Sequence, residues 1–509
     1  MIKIFSTIVL KGGFRLPHTL SNNKLKNTMC DTSLFRKFFM IILSLEMINL
    51  IDIISLAVKC VVISWGVFIL VHNFFIEKLA FKVKYKYILF CFLISMLITS
   101  IIHFSVWFIP NIVLILFTAI CFFVFYGMYV SNSPENLESE MVFIFKFFVY
   151  FATICGITSL LLLLWKKEFS MVQNYFGMTF NYNFGIFKNR FIGIYTNSNI
   201  LGFSMIEAIV ASDILSDSYL KDKYKEKIPN RTFLIFVQII SCLCLFLSDS
   251  NASFLFLIIY ITIRVFCNMF FKNKWFYGFK FFKSVLITTG VCIVSMSVMF
   301  AFRNKSQVFI EKFMNEIYTK ESNSEQNKTK NTESQTNHNG ITIIVPDPET
   351  KSKNSQNTTS TELHIGREHY EVSSGRITLF KQGIKIFKHH PIIGISRANL
   401  NLYAKKYLPG GLIHPDLHNG YLTILVSYGI IGFMIFTVFS VLIAKDVCKN
   451  MFYVINKNYF GIIMKLFSCL VAYCSYCLFE KAILFDMTFM VGFFWLILGY
   501  SVMYAQKSE

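Results

Sequence analysis

HNGYLTILVSYGIIG, residues 418–432, is where this chain passes from a long polar stretch into an apolar run. A histidine–asparagine pair, His418-Asn419, stands at the boundary, and after nine further residues Gly429-Ile-Ile-Gly432 lies inside the run. An imidazole titrates near neutrality, so a histidine here can exchange a proton at a water-facing edge. The two glycines read as small residues that let helices approach closely. Together these features describe the end of a loop and the start of a membrane span.

Working outward, the same kind of apolar run recurs along the chain. With 509 residues, 55% of them hydrophobic and 58 of them Phe, there is too much apolar surface for a water-soluble fold. Runs of about 20 residues are the length that crosses a hydrocarbon core. Twelve windows qualify: 34–53, 54–75, 87–108, 110–130, 141–164, 198–215, 232–248, 251–271, 283–302, 419–444, 460–480 and 483–504. The expected fold is therefore all-α and polytopic, with about twelve transmembrane helices and two extracytoplasmic loops, 165–197 and 303–418. Helices 1–9 occupy 34–302 and helices 10–12 occupy 419–504, between cytoplasmic tails 1–33 and 505–509. The first two windows carry Glu46, Asp52 and Lys59 and also fit one span plus an interfacial helix.

Charge follows the same plan. The short loops 77–87, 216–231 and 272–283 are rich in Lys and Arg, 445–459 is moderately so, and twelve spans put all four on the cytoplasmic side. The net charge of +20 is then explained by topology and attraction to anionic membrane lipid, and nucleic acid is not an expected partner. All thirteen Cys fall outside the two external loops, so no extracytoplasmic disulfide is expected. Cys474 and Cys477 have redox-like spacing, but they lie within a span and read as packing residues, as do Cys242 and Cys244.

The larger external loop has two parts. Residues 319–362 are rich in Asn, Ser, Thr, Lys and Glu and cannot bury enough to offset their ordering entropy, which predicts a disordered insertion. Its one β-prone patch, Ile341–Val345, can pair with another strand. From Arg376 to His390, Ile377, Phe380, Ile384 and Phe387 recur at helical spacing with Lys381, Lys385 and Lys388 on another face, and Pro391 ends the pattern. Such a basic amphipathic helix suits the headgroup layer, or packs on the rest of its loop.

Candidate chemistry gathers at the ends of the loops. His418 alone reads as an ordinary interfacial histidine, but His414-Pro-Asp416 precedes it and the Asn419 amide can orient a substrate. His414 and His418 have a metal-like spacing, yet no third ligand is evident and Pro415 interrupts a helix, so no metal and no cofactor is expected. The smaller loop ends in Arg190-Phe-Ile-Gly193 and Asn197-Ser-Asn199 at the mouth of a span. A guanidinium there can grip phosphate oxygens and the helix N-terminus adds donors; the plainer reading is a turn arginine. Arg264 sits late in a span and either acts there or snorkels to the cytoplasmic face.

These segments resemble a family. His-Asn, nine residues, then Gly-x-x-Gly is similar to the signature of the bacterial O-antigen ligase and polymerase superfamily. Arg376 leading into HHPIIGIS looks like that family's arginine, helix and Pro-hydrophobic-Gly turn. RFIGIYTNSN, residues 190–199, is similar to its Arg-x-x-Gly…Asn-Pro-Asn element. The resemblance spans roughly 140–445. It implies a metal-independent glycosyltransferase that moves a glycan from undecaprenyl pyrophosphate to an acceptor hydroxyl at the outer membrane face. Arg376 would then hold the pyrophosphate, His418 would activate the acceptor or stabilise the transfer, and Arg190 would help bind the donor. His414, Asn197, Asn199, Asn251, Lys381 and Asn419 are the further candidate substrate contacts. A flippase and a chain-length regulator are the implied protein partners.

Two departures stand out. Asn197-Ser198-Asn199 replaces Asn-Pro-Asn, and Ser248-Asp-Ser-Asn251-Ala252 puts Asn251 where family members often carry Arg. Arg190 or a lysine of the amphipathic helix would have to supply the missing cation, or the donor is held differently. The Phe-, Ile-, Asn- and Lys-rich composition suggests an AT-rich genome, and a bacterium whose cytoplasmic membrane is its only one favours capsular or exopolysaccharide polymerisation. Ligase-type transfer to another acceptor is the first alternative. A non-catalytic transporter of lipid-linked sugars, which would use the intramembrane charges Lys146, Glu207 and Lys465, is the second.

Overall fold

The computed structural model describes residues 28–49, 52–165, 168–175, 178–272, 279–326, 343–344 and 375–507. The main helices are α1 (Thr32–Leu45), α2 (Asp52–Val71), α3 (Lys86–Ile102), α4 (Phe108–Ile120), α5 (Pro134–Trp165), α6 (Ser198–Leu215), α7 (Arg231–Ser248) and α8 (Asn251–Cys267). They continue as α9 (Phe279–Gln326), α10 (Arg376–His389), α11 (Leu400–Tyr407), α12 (Gly420–Tyr453), α13 (Phe460–Tyr476) and α14 (Phe489–Gln506). Each of the twelve expected windows contains a helix. Nine helices among the described residues are long and apolar enough to cross a membrane, while α3 and α13 are apolar but shorter. The chain is a multi-pass membrane protein.

Three expectations are corrected. The fold is mostly but not wholly helical, because the loop after α5 forms a sheet. Strands β1 (Glu168–Tyr175), β2 (Met178–Phe187), β3 (Arg190–Gly193) and β4 (Ile343–Ile344) lie in the order β3-β2-β1-β4. The β-prone patch of the insertion finds a partner here, since Met171 and Ser170 pair with Ile343 and Ile344. Second, helix α9 does not end at the expected loop boundary, 303, but runs on to Gln326, into the segment expected to be disordered. The rest of 319–362, apart from β4, lies outside the described residues. Third, α13 ends at Tyr476 and α14 begins at Phe489, so 477–488 is a connection rather than span. Glu480, Lys481 and Asp486 are the reason: charges inside hydrocarbon are costly, and here they leave the helices and pair in the turn.

The bundle is joined by polar ties buried among aromatic side chains. Arg36 and Glu140, both fully buried, form a two-pronged pair with Nε–Oε1 and Nη2–Oε2 distances of 2.7 Å. Val124 O and Asn132 Oδ1 accept the remaining guanidinium bonds, and Tyr500 donates to Glu140 Oε1, so α1, α5 and α14 meet at one satisfied charge pair. The sheet is tied to the end of α1: Asn49 Nδ2 donates to Asn183 O and Tyr195 O, and Ile48 bridges Tyr195.

The glycines that the sequence marked for close helix packing do something else. Gly429 adopts φ 63°, ψ −166° and breaks α12. Into that break goes the Pro391–Gly394 turn. Ile430 N donates to Pro391 O (2.8 Å) and Ile431 N to Ile392 O (3.2 Å). In return, Ser396 N donates to Ser427 O (2.8 Å) and Ile395 N to Val426 O and Ser427 O. A Cβ on Gly429 would sit 2.2 Å from Ile392 O, and one on Gly394 (φ 71°) would sit 2.4 Å from Ser427 C and O. Neither position admits a side chain. Gly432 is the one near a neighbouring helix, with Ser95 Oγ of α3 3.6 Å from its would-be Cβ.

The amphipathic helix is present, but its buried face is not the expected one. Leu379, Gly383 and Ile386 of α10 are buried, with Gly383 against Leu417 and Leu422, whereas Ile377 and Ile384 are exposed. The contact with α12 selects the stripe with room for close approach, and the bulkier stripe stays more exposed.

Gly429→Ala should lower the thermal unfolding midpoint markedly, since the left-handed conformation costs about 1–3 kcal/mol before the clash is counted. Gly290→Ala, at a helical glycine whose added Cβ meets nothing within 4 Å, should leave the midpoint unchanged or raise it, because Ala favours the helix. Equal behaviour of the two variants would show that the Gly429 break does not hold the loop.

Candidate active site

Backbone features bring the candidate residues together at one end of the bundle. Asn197 caps α6, its Oδ1 accepting from Ile200 N at 2.9 Å, which presents Asn199 in the first turn. Asn419 caps α12 in the same way through Leu422 N, and its Nδ2 donates to Leu478 O. Gly420 N donates to Cys477 O at 2.8 Å. These bonds fasten the start of α12 to the turn after α13, and that turn carries Glu480. Asn419 thus spends both its amide oxygen and its amide nitrogen on structure, whereas Asn197 uses its Oδ1 alone.

Glu480 is the residue around which the others assemble. Arg376 Nη2 donates to its Oε1 (3.1 Å) and Asn199 Nδ2 donates to the same oxygen (3.0 Å). His418 Nδ1 is 3.0 Å from Oε2. Asn199 Oδ1 in turn accepts from Arg190 Nη2 at 2.9 Å, and Arg190 also donates to Ser248 O and Asp249 O. Arg190, Asn199, Arg376, His414 and His418, with Leu379 and Ile413, line a cavity of about 260 Å³. Two guanidiniums against one carboxylate leave this cavity net positive.

The hydrogen bonds assign the histidine tautomers. A carboxylate only accepts, so His418 donates from Nδ1 to Glu480. Its Nε2 then accepts from His414 Nδ1, 3.0 Å away. His414 Nε2, which keeps its lone pair, lies 3.4 Å from the same His418 nitrogen. Burial, and then the charge of His418, lower the His414 pKa below 6.5. His418 is held in a left-handed conformation (φ 46°), unusual for a non-glycine residue and frequent at working sites.

A second charge cluster holds the His414–His418 loop in place. Arg397 reaches Asp416 (3.4 Å) and Asp486 (4.0 Å), and Lys481 pairs with both carboxylates. Burial acts to raise the Asp416 pKa, but the nearby Lys481 and Arg397 cations outweigh it and hold it below the usual carboxylate value.

Two candidates stand away from this cavity. Lys381 is exposed on α10, and it does not line the cavity, because burial of the Leu379–Gly383–Ile386 face turns it outward. Asn251, at the start of α8, accepts from Arg303 Nη1 at 2.9 Å. Arg303 also pairs with Asp249 and lies over the Phe254 ring. A cation therefore does stand at the corner where Asn251 replaces the family arginine, delivered from α9. Arg190 reaches the same turn, through Ser248 O and Asp249 O.

Glu480 was absent from the sequence reading because hydropathy absorbs it into the end of a span. The available signal was the Glu480-Lys481 pair with Asp486 close behind, a charge density that no continuous span tolerates. Among the described residues no group of three His, Cys, Asp or Glu is placed to hold a metal ion.

The fold and this cavity define a multi-pass membrane protein with a cationic, histidine-bearing site at a membrane boundary. Residues 236–437 match the family model described as O-antigen ligase, which bears out the resemblance to the O-antigen ligase and polymerase superfamily. A membrane glycan ligase or polymerase kind of function follows, with a lipid-linked glycan and an acceptor as the implied substrates. No curated protein matches the chain. The matched region holds Arg376, His414, His418 and Asn419; Arg190, Asn199 and Glu480 lie outside it.

Because the folded-state pKa of His414 is lowered, the unfolded chain binds the extra proton. That contribution to stability is complete above pH 6.5 and is lost as pH falls through the folded value. Thermal unfolding followed from roughly pH 7 to pH 5 should show this acid-side loss, and His414→Gln should flatten it. An unchanged slope in the variant would mean that another group causes the loss.

Proposed function

We propose that this protein polymerises undecaprenyl-pyrophosphate-linked oligosaccharide repeat units at the outer face of the cytoplasmic membrane. The product would be a capsular polysaccharide, exopolysaccharide or O-antigen. The observation that carries the proposal is the convergence of Arg190, Asn199, Arg376, His414 and His418 on Glu480 at one cavity. Glycan transfer from a diphosphate carrier needs cations aimed at the leaving group and a base for the acceptor, and this cavity offers both.

In the proposed step, the acceptor hydroxyl oxygen bonds to the anomeric carbon of the donor. The bond from that carbon to the carrier diphosphate breaks, and the diphosphate leaves with the electron pair. Arg376, which has guanidinium donors beyond the one given to Glu480, takes the diphosphate oxygens, with Arg190 beside it. The acceptor proton passes to His414 Nε2, and the His414 Nδ1 proton moves to His418 Nε2. Glu480 steadies the imidazolium so formed, as a carboxylate behind a catalytic histidine does. Protein groups supply each part of this step, consistent with a metal-independent transferase.

Three observations support this reading over a transporter of lipid-linked sugars. The base and the guanidiniums share one cavity. Lys465 is held by local partners, Asp217 at 3.1 Å and Asp213 at 3.8 Å. The His414–His418 pair is backed by Glu480, the arrangement that general-base chemistry uses.

His418→Ala and Glu480→Gln should each leave single repeat units on the lipid carrier while protein abundance stays normal. Loss of one such group typically lowers the rate by roughly 10²–10⁴. Long polymer persisting in both variants, measured by gel analysis of carrier-linked and released glycan, would rule the assignment out. Trapping of lipid-linked units on the inner leaflet on deletion of the gene would point to transport instead.

A further inference from the structure

A second polar cavity, of about 430 Å³, lies at the opposite end of the same helices. Asn199 opens α6 at the glycan site and Asp213 lies near its other end, fourteen residues on, or about 21 Å along the axis. Helix α13 likewise runs from Lys465, in the second cavity, towards Glu480. Lys221, Arg231, Arg264 and Lys465 line this cavity together with Asp213 and Asp217.

The charges there are unequally matched. Arg264 pairs with Asp213, and Lys465 with Asp217 (3.1 Å) and Asp213 (3.8 Å), its Nζ also donating to Asp213 O at 2.8 Å. Both carboxylates are therefore engaged. Lys221 and Arg231 form no ion pair among the described residues, which leaves the cavity two positive charges in excess. Gly461 makes the arrangement possible, since a Cβ there would stand 2.4 Å from Asp217 Oδ2. The general excess of basic residues on short loops does not explain a concave site: Lys82 and Lys225 are also basic and exposed, and neither lines it.

A further cavity of about 260 Å³ adjoins this one, with Arg264 and Met464 lining both. Tyr260, Ile261 and Val265 give it an apolar wall. A cationic chamber opening onto an apolar groove matches a molecule with a phosphoryl head and a hydrocarbon tail. We infer that this end of the bundle binds the phosphoryl group of an anionic phospholipid, seated between Lys221 and Arg231, with an acyl chain along the Ile261–Val265 groove. The site is separate from the glycan cavity and does not depend on the reaction proposed there.

The test uses the full-length protein purified in neutral detergent. Thermal unfolding is followed with phosphatidylglycerol, with phosphatidylcholine and with inorganic pyrophosphate. Phosphatidylglycerol should raise the midpoint above phosphatidylcholine, and Lys221→Gln/Arg231→Gln should abolish the difference. Removing two near-surface cations should weaken the preference for the anionic lipid by roughly tenfold or more. Lys82→Gln/Lys225→Gln removes the same charge elsewhere and should keep it. Equal responses in the two double variants would overturn the site. A response to pyrophosphate but not to phosphatidylglycerol would overturn the lipid and leave a soluble phosphate as the occupant. If Lys221→Gln/Arg231→Gln does not fold, native mass spectrometry of the wild type from mixed vesicles decides: phosphatidylcholine retained as often as phosphatidylglycerol refutes the proposal.

Discussion

The exchange of backbone hydrogen bonds at Gly429 is the constraint on which the rest of the site depends. A helix broken near a membrane boundary frees N–H and C=O groups that lipid cannot satisfy. Here the turn at Pro391–Gly394 satisfies them, and α12 satisfies the turn in return. Each partner needs a glycine, because the other's backbone lies where a Cβ would be. This mutual insertion fixes α10 against α12, and therefore Arg376 relative to His418.

Around that frame one carboxylate organises several donors. Glu480 accepts from Arg376, Asn199 and His418, so it sets the spacing of the cations and the tautomer of the histidine chain at once. An acidic residue at the centre of an anion-binding site looks contradictory until its neighbours are counted. Two half-buried guanidiniums would otherwise repel one another, and the carboxylate offsets that repulsion while leaving the cavity net positive. Arg303 plays a comparable part at the neighbouring corner, where it reaches Asn251 and Asp249 from α9.

Much of the polar side-chain chemistry lies towards the ends of the helices: Lys465 stands near the start of α13 and Glu480 in the turn after it, and Asn199 and Asp213 lie near the two ends of α6. This pattern suits a protein whose chemistry lies at a membrane surface, with its middle in hydrocarbon. At the buried pair Arg36–Glu140, four guanidinium hydrogen bonds and one from Tyr500 tie the charges to their surroundings. That pair serves to hold three helices together.

By itself the sequence determined the helical, membrane-spanning class, because runs of apolar residues long enough to cross a bilayer have no other stable home. It also pointed to Arg376, His418, His414, Arg190 and Asn199, since polar motifs at the ends of apolar runs are where chemistry meets water. It did not show the sheet in 165–197, whose strands become stable only through cross-strand pairing and the tie to Asn49. It did not show that the Asn419 amide is spent on the turn after α13, nor that Gly429 is a break and not a packing surface. Above all it did not place Glu480, which looks like the frayed end of a span. Tertiary structure decided these points because each depends on a partner distant in the chain, and neither composition nor spacing says which segment will fill a broken helix or face a stranded charge.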